Sequence, residues 1–247
     1  MTDHPDWPAL PLEAWRDTRD TLHMALQIVG KVRLALAPME PQWSQVPLYL
    51  TARGLTSSPI GHPRGGPFDL DVDLLDHVVR VRTVRGEVRD VALRARPIRE
   101  FHAELVAALD ELGHHVELSP GPSEVPDPIP FAQDDVHRSY DPAWAARFHR
   151  ALASVDIVLN EHRAGFRGRT TPVHFFWGSF DLAVTRFSGR PAAPPPGSDR
   201  IMRLSADAEQ VSAGWWTGSA GFDQPAFFAY AYPRPPAIED GEVASVG

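Results

Sequence analysis

His174, Trp177, Ser179, Asp181 and Arg186 fall within one aromatic run, PVHFFWGSFDLAVTRFSGR, from Pro172 to Arg190. Their types offer a base, an indole donor, a hydroxyl, a carboxylate and a cation in a short stretch. Read as an unbroken strand, the run alternates its side chains between two faces. His174, Phe176, Gly178 and Phe180 then point one way, and Val173, Phe175, Trp177, Ser179 and Asp181 the other. A Ser179–His174–Asp181 triad cannot assemble on such a strand without a bulge, for which Gly178 is the natural place. No GxSxG elbow presents a serine elsewhere, so nucleophilic hydrolysis is not expected. His174 is left with two readings: a core ring held by one hydrogen bond, or an acid–base group facing a pocket and tuned by burial and a carboxylate.

A second set lies near the N-terminus, where His23, Gln27 and Lys31 recur every four residues beside an apolar helical stripe. Residues so spaced share one helix face. They form either an ordinary polar flank or a polar wall projecting into a space beside a sheet, where His23 and His174 would converge on one small molecule. His174 and His23 are therefore the candidate catalytic residues, and Gln27, Lys31, Tyr49, Arg53 and Trp177 the candidate ligand-binding residues. No HExxH or HxH spacing supplies a local metal site. A metal-dependent enzyme would have to gather His and carboxylate ligands from both halves of the chain, and the sequence names neither a ligand set nor a cofactor.

Composition narrows the partners. A net charge of −8 over 247 residues argues against nucleic acid, whose phosphates require a basic surface. The arginines between Arg80 and Arg99 are interrupted by Glu87 and Asp90 and read as a solvated sheet face. With no cysteine, disulfides, thiolate metal sites and cysteine nucleophiles are excluded. No apolar run approaches the ~20 residues of a membrane helix, and the acidic first residues do not resemble a secretion signal. A soluble, cytoplasmic protein without a membrane partner is expected.

Three helices must position these groups. Leu22 to Leu36 carries apolar residues at helical spacing and ends before Pro38. Pro97 opens a second helix that stops at Gly113, and Asp141-Pro142 caps a third with Trp144, Phe148, Leu152, Val155 and Leu159 on one stripe. Strands are expected over 46–53, 68–74, 78–84, 88–93, 115–118, 173–187, 211–216 and 226–232, with a hairpin at Arg85-Gly86. Residues 119–140 begin as a proline-rich connector, and Pro233 onward reads as a mobile tail. Each half offers a long helix followed by a Pro-led strand, VPLYLTARGLT in one and TPVHFFWGSFD in the other. The expected fold is α+β, long helices packed on antiparallel sheet. It forms one domain over 7–232 with two pseudo-related halves, 7–119 and 141–232, whose common descent the sequence leaves open.

The segments WPALPLEAW, DTLHMALQIVGKVRLALAP, VPLYLTARGLTSSPI, VPDPIPF, HRSYDP and PVHFFWGSFDLAVTRFSGR together resemble a bacterial family catalogued as domain of unknown function 5996. The resemblance implies no reaction, cofactor or catalytic residue. The residues support first a protein that binds a small organic molecule in an aromatic-lined pocket, with or without histidine acid–base chemistry. A metal-dependent enzyme and a non-catalytic interaction or structural protein stand as alternatives. Oligomeric state is open.

Overall fold

The computed structural model describes residues 7–219 and 221–235. The expected tail falls largely on residues 236–247, outside the described residues. The fold is α+β, with two antiparallel sheets. Helix α1 spans Leu12–Leu36 and leads into the first sheet: β1 Tyr49–Thr51, β2 Gly54–Thr56, β3 Phe68–Asp73, β4 Val78–Thr83 and β5 Val88–Ala92, paired in chain order. Helix α2, Ile98–Glu111, follows, and the proline-rich connector then leads to α3, Pro142–Ala164. The second sheet is a four-stranded meander of β6 His174–Phe176, β7 Asp181–Pro191, β8 Ala208–Trp216 and β9 Ala226–Tyr232, with the short helix α4, Arg200–Ser205, between β7 and β8.

Local chemistry accounts for most boundaries. The Asp141 side chain accepts from Ala143 N–H at the start of α3, and Pro142 fills the first turn, where no N–H is needed. Gly113 takes φ +76 after α2, the left-handed conformation that ends a helix most cheaply in glycine. Gly86, at φ +82, closes the β4–β5 hairpin.

Two expectations need correction. Residues 115–118 form no strand: they follow directly on the end of α2, and the His115 carbonyl meets the side chain of His62, at 3.0 Å from Nε2, rather than a neighbouring strand. The aromatic run is not one strand but a hairpin. The chain reverses over Trp177–Phe180, with Phe180 N–H returned to Phe176 C=O at 2.8 Å. The register pairs His174 with Ala183 and Phe176 with Asp181. Cross-strand partners share a face, so Asp181 stands on the same face as His174 and Phe176, the reverse of the unbroken-strand parity.

Helix α1 is buried on all sides from Thr21 to Val32, as befits a helix enclosed by other elements. One apolar core links both sheets through it, with Leu26, Ile28 and Val29 fully buried beside Leu48, Phe148, Phe175 and Leu182. The two sheets meet where Leu48 and Phe175 exchange backbone hydrogen bonds of 3.0 and 2.9 Å. Truncating Leu26 to Ala should therefore cost about 2–5 kcal/mol, read as a lowered urea midpoint in one transition shared by far-UV circular dichroism and tryptophan fluorescence. Separate transitions by the two probes would show that the sheets do not share one core.

Candidate functional site

The polar stripe of α1 lies inside the molecule. His23, Gln27 and Lys31 are 7 %, 0 % and 4 % exposed, and all three meet the β6–β7 turn or the connector. His23 Nε2 lies 2.9 Å from the Trp177 carbonyl and 3.0 Å from that of Gly178. Carbonyls only accept, so Nε2 carries the proton and donates to both. Gln27 Nε2 donates to Ser123 C=O at 2.8 Å while its Oε1 accepts from Ser123 N–H at 3.0 Å, which fixes the connector to the helix at both backbone groups. Lys31, the chain's single lysine, donates from Nζ to Ser123 Oγ at 3.0 Å and lies over the Trp177 ring, 5.6 Å from its centroid.

In front of this wall is a cavity of about 350 Å³. Its floor is the face of the second sheet that carries Asp181, Ala183 and Thr185 on β7 and Phe228 and Tyr230 on β9. Phe176 and Trp177 form one wall, and Trp43, held by its Nε1–H donating to Ile201 C=O at 3.1 Å, joins the loop after α1 to α4 across the opening. Ser123 and Glu124 enter from the connector. Trp177 is locked in place by its own Nε1–H to Val46 C=O, 2.9 Å, and by Gly30, where a β-carbon would stand 2.3 Å from the indole.

Two carboxyl groups open onto this ring-lined space. Asp181, 8 % exposed, accepts from the Ser179 hydroxyl. Burial is the main cause that pushes it up to about 7; Glu124 adds to the rise, and the Ser179 hydrogen bond opposes it. Glu124 lines the cavity with its Oε2 against Gly178 and is raised by desolvation, then by the like charge of Asp199. Among the described residues no lysine, arginine or histidine pairs with either carboxyl.

Of the sequence candidates, Trp177 lines the cavity, while His23, Gln27 and Lys31 stand behind its wall. His174 is 3 % exposed, its ring edge-on to Tyr49 at 5.7 Å and Phe176 at 5.4 Å. Tyr49 packs beneath Arg33, and Arg53 pairs with Asp73 and Asp76 in the first sheet, so neither reaches the cavity. Ser179 and Asp181 meet, but His174 hydrogen-bonds neither. Sequence reasoning missed Ser123, Glu124 and Trp43. Their one signal is position: Ser123 and Glu124 are the polar pair in a proline-rich connector, and Trp43 interrupts a polar loop. Among the described residues, no group of three or more His, Asp or Glu side chains is arranged to hold a metal ion, and no helix is long and apolar enough to cross a membrane.

The model of a family of unknown function, DUF5996, matches residues 7–246. The chain belongs to that family. No curated protein and no solved structure matches it. What the DUF5996 chain does must therefore be argued from its own geometry.

Two predictions follow from how this family member builds the wall. Glycine inside a helix is ordinarily about 1 kcal/mol worse than alanine, yet Gly30→Ala should destabilise the protein, because the indole cannot retreat. A raised melting temperature with unchanged near-UV circular dichroism would contradict the close contact. The second concerns pH. Desolvation, the larger cause, and nearby arginines hold His23 and His174 at about 4, below the ordinary 6.5, so the unfolded chain takes up protons that the folded chain refuses. Their contribution is complete above pH 6.5 and is lost as pH falls toward 4, on the order of 3 kcal/mol per ring. Asp181 has the opposite sign, because the folded state keeps a proton that the unfolded state releases above pH 4. Asp181→Asn should thus gain stability over the parent at pH 8 and lose more than half of that advantage by pH 5, while His174→Phe flattens the acid limb. Urea unfolding from pH 5 to 8 reads both, and pH-independent differences would refute the burial argument.

Proposed function

We propose that this protein binds a small organic molecule in the cavity between the second sheet, the β6–β7 turn and the proline-rich connector, with the aromatic walls taking the ligand's apolar body. The observation that carries the reading is the cavity's construction. Its volume of about 350 Å³ suits a small ligand, and apolar rings surround a few convergent polar groups, the combination expected of a binding site. Further support comes from the chain's backbone. Gln42, Trp43, Glu124 and Phe180 take positive φ of 55°, 57°, 57° and 61°. The first three line the cavity and Phe180 stands between Ser179 and Asp181, which do so too. Such conformations cost of order 1–3 kcal/mol each and gather where function requires them.

Acid–base chemistry on such a ligand falls to Asp181 and Glu124, the two carboxyl groups that face the cavity. His23 acts as a positioning residue, holding the Trp177–Gly178 turn through its donated proton. The test is to fill the cavity. Ala183→Trp places an indole on the floor strand, and it should abolish ligand binding with the cooperative unfolding transition retained. Binding scored by calorimetry that survives this substitution would place the ligand elsewhere and end the proposal.

A further inference from the structure

The geometry points to a ligand that carries a protonated amine on an aromatic or aliphatic body, with the ammonium group seated between Asp181 and Glu124. This inference rests on the cavity as the binding site and names what the cavity selects. The argument is one of charge. Asp181 is more than nine-tenths buried, lines the cavity, and draws support only from the Ser179 hydroxyl and its own backbone N–H, neither of which brings positive charge. A buried carboxylate without a counterion is costly, and a cationic ligand would remove that cost on arrival. Glu124 projects over Gly178, where a β-carbon would stand 2.1 Å from its Oε2, so the missing side chain is what admits the carboxyl to this position. Asp199, the N-cap of α4, adds a further negative charge that acts on Glu124.

None of the cations near this cavity pairs with either carboxyl among the described residues. Lys31 donates to Ser123 Oγ behind the Trp177 ring. Arg19 lies over Phe180 and pairs with Asp20, and Arg200 lies over Trp43. His23 is turned to the turn carbonyls. Within the cavity, Trp177, Phe176, Phe228 and Tyr230 present rings to whatever the carboxyls hold. Rings with carboxylates are the combination that recognises an organic ammonium ion, through ring faces and charge-assisted hydrogen bonds together. An anionic ligand would meet the two carboxyl groups, and a neutral one would leave Asp181 to keep its proton rather than pair as a carboxylate.

The test is isothermal titration calorimetry of the full chain with three probes of one shape: phenethylamine, 2-phenylethanol and 3-phenylpropionate. Each is taken to roughly millimolar concentration, the range in which fragments bind. The amine is expected to bind at least about tenfold more tightly than the alcohol, and the acid not at all. Asp181→Asn and Glu124→Gln keep shape and remove charge, so each should shrink the amine's advantage over the alcohol, and the two together should erase it. Equal affinity for amine and alcohol, tighter binding of the acid, or a preference that survives both substitutions would overturn the inference. If amine and alcohol bind equally and Ala183→Trp abolishes both, the cavity stands as a binding site and only the ammonium inference falls. If none of the three binds, or binding persists in Ala183→Trp, the cavity itself is not the site and both readings fall.

Discussion

The Trp177 and Gly178 carbonyls point into the interior, and the rest of the site depends on their being satisfied there. A buried carbonyl without a donor costs about as much as a lost hydrogen bond. The β6–β7 turn lies against α1, with the Trp177 ring resting on Gly30. One donor, His23 Nε2–H, serves both carbonyls, and Gln27 Nε2, 3.4 Å from Gly178 C=O, supports the second. Donation requires only that Nε2 carry its hydrogen, and burial, which lowers the ring's basicity, leaves the imidazole in its neutral Nε2–H form while it holds the turn. The interaction holds the turn on the helix, and the turn sets Ser179 and Asp181 facing the sheet floor. The same stripe, one turn further along at Gln27, fixes Ser123 and with it the approach of Glu124.

This arrangement explains why a proline-rich segment forms part of the site. A connector with few backbone donors builds little secondary structure of its own, so its position is set by whatever side chains reach it. Gln27 supplies both a donor and an acceptor to Ser123, and Lys31 adds a charged donor to the hydroxyl. One residue, Ser123, is thus fixed to a rigid helix while the chain on either side stays irregular, and Glu124 is held at φ +57 beside it.

The helices were legible because their signals are local: 3.6-residue periodicity, Asp141-Pro142 at one start and Gly113 at one end. The α1 boundary was less so, since its first turns expose Glu13 and Asp17 and mask the buried Leu12 and Trp15. The hairpin within PVHFFWGSFDLAV was illegible for a physical reason. Its reversal contains no Asn-Gly or Pro-Gly pair and places the left-handed residue at Phe180, which local propensity disfavours. The ring compensates by packing at 5.0 Å against Phe148 from α3 and 4.8 Å against His23 from α1, contacts between residues far apart in sequence. An unbroken strand inverts the face of every later residue in β7, and so puts Asp181 opposite to Phe176, its true partner in the register.

Charge is distributed across this wall in a way that bears on chemistry. Behind it lie a neutral imidazole and a lysine whose charge is desolvated against Trp177; in front lie Asp181 and Glu124. A proton delivered to His23 from the cavity would have to displace no hydrogen bond at Nε2 and yet create a cation in the core beside Arg19, and burial opposes that. A proton held by Asp181 meets no such obstacle, because the protonated carboxyl is the neutral form and the cavity is apolar. Burial therefore drives helix-side histidine and sheet-side carboxyl toward neutrality alike, and only the carboxyl has an open path to whatever enters. A group poised near pH 7 by its walls, with the Ser179 hydroxyl fixing one oxygen, can exchange a proton with a bound molecule without disturbing the hydrogen bonds that hold the fold.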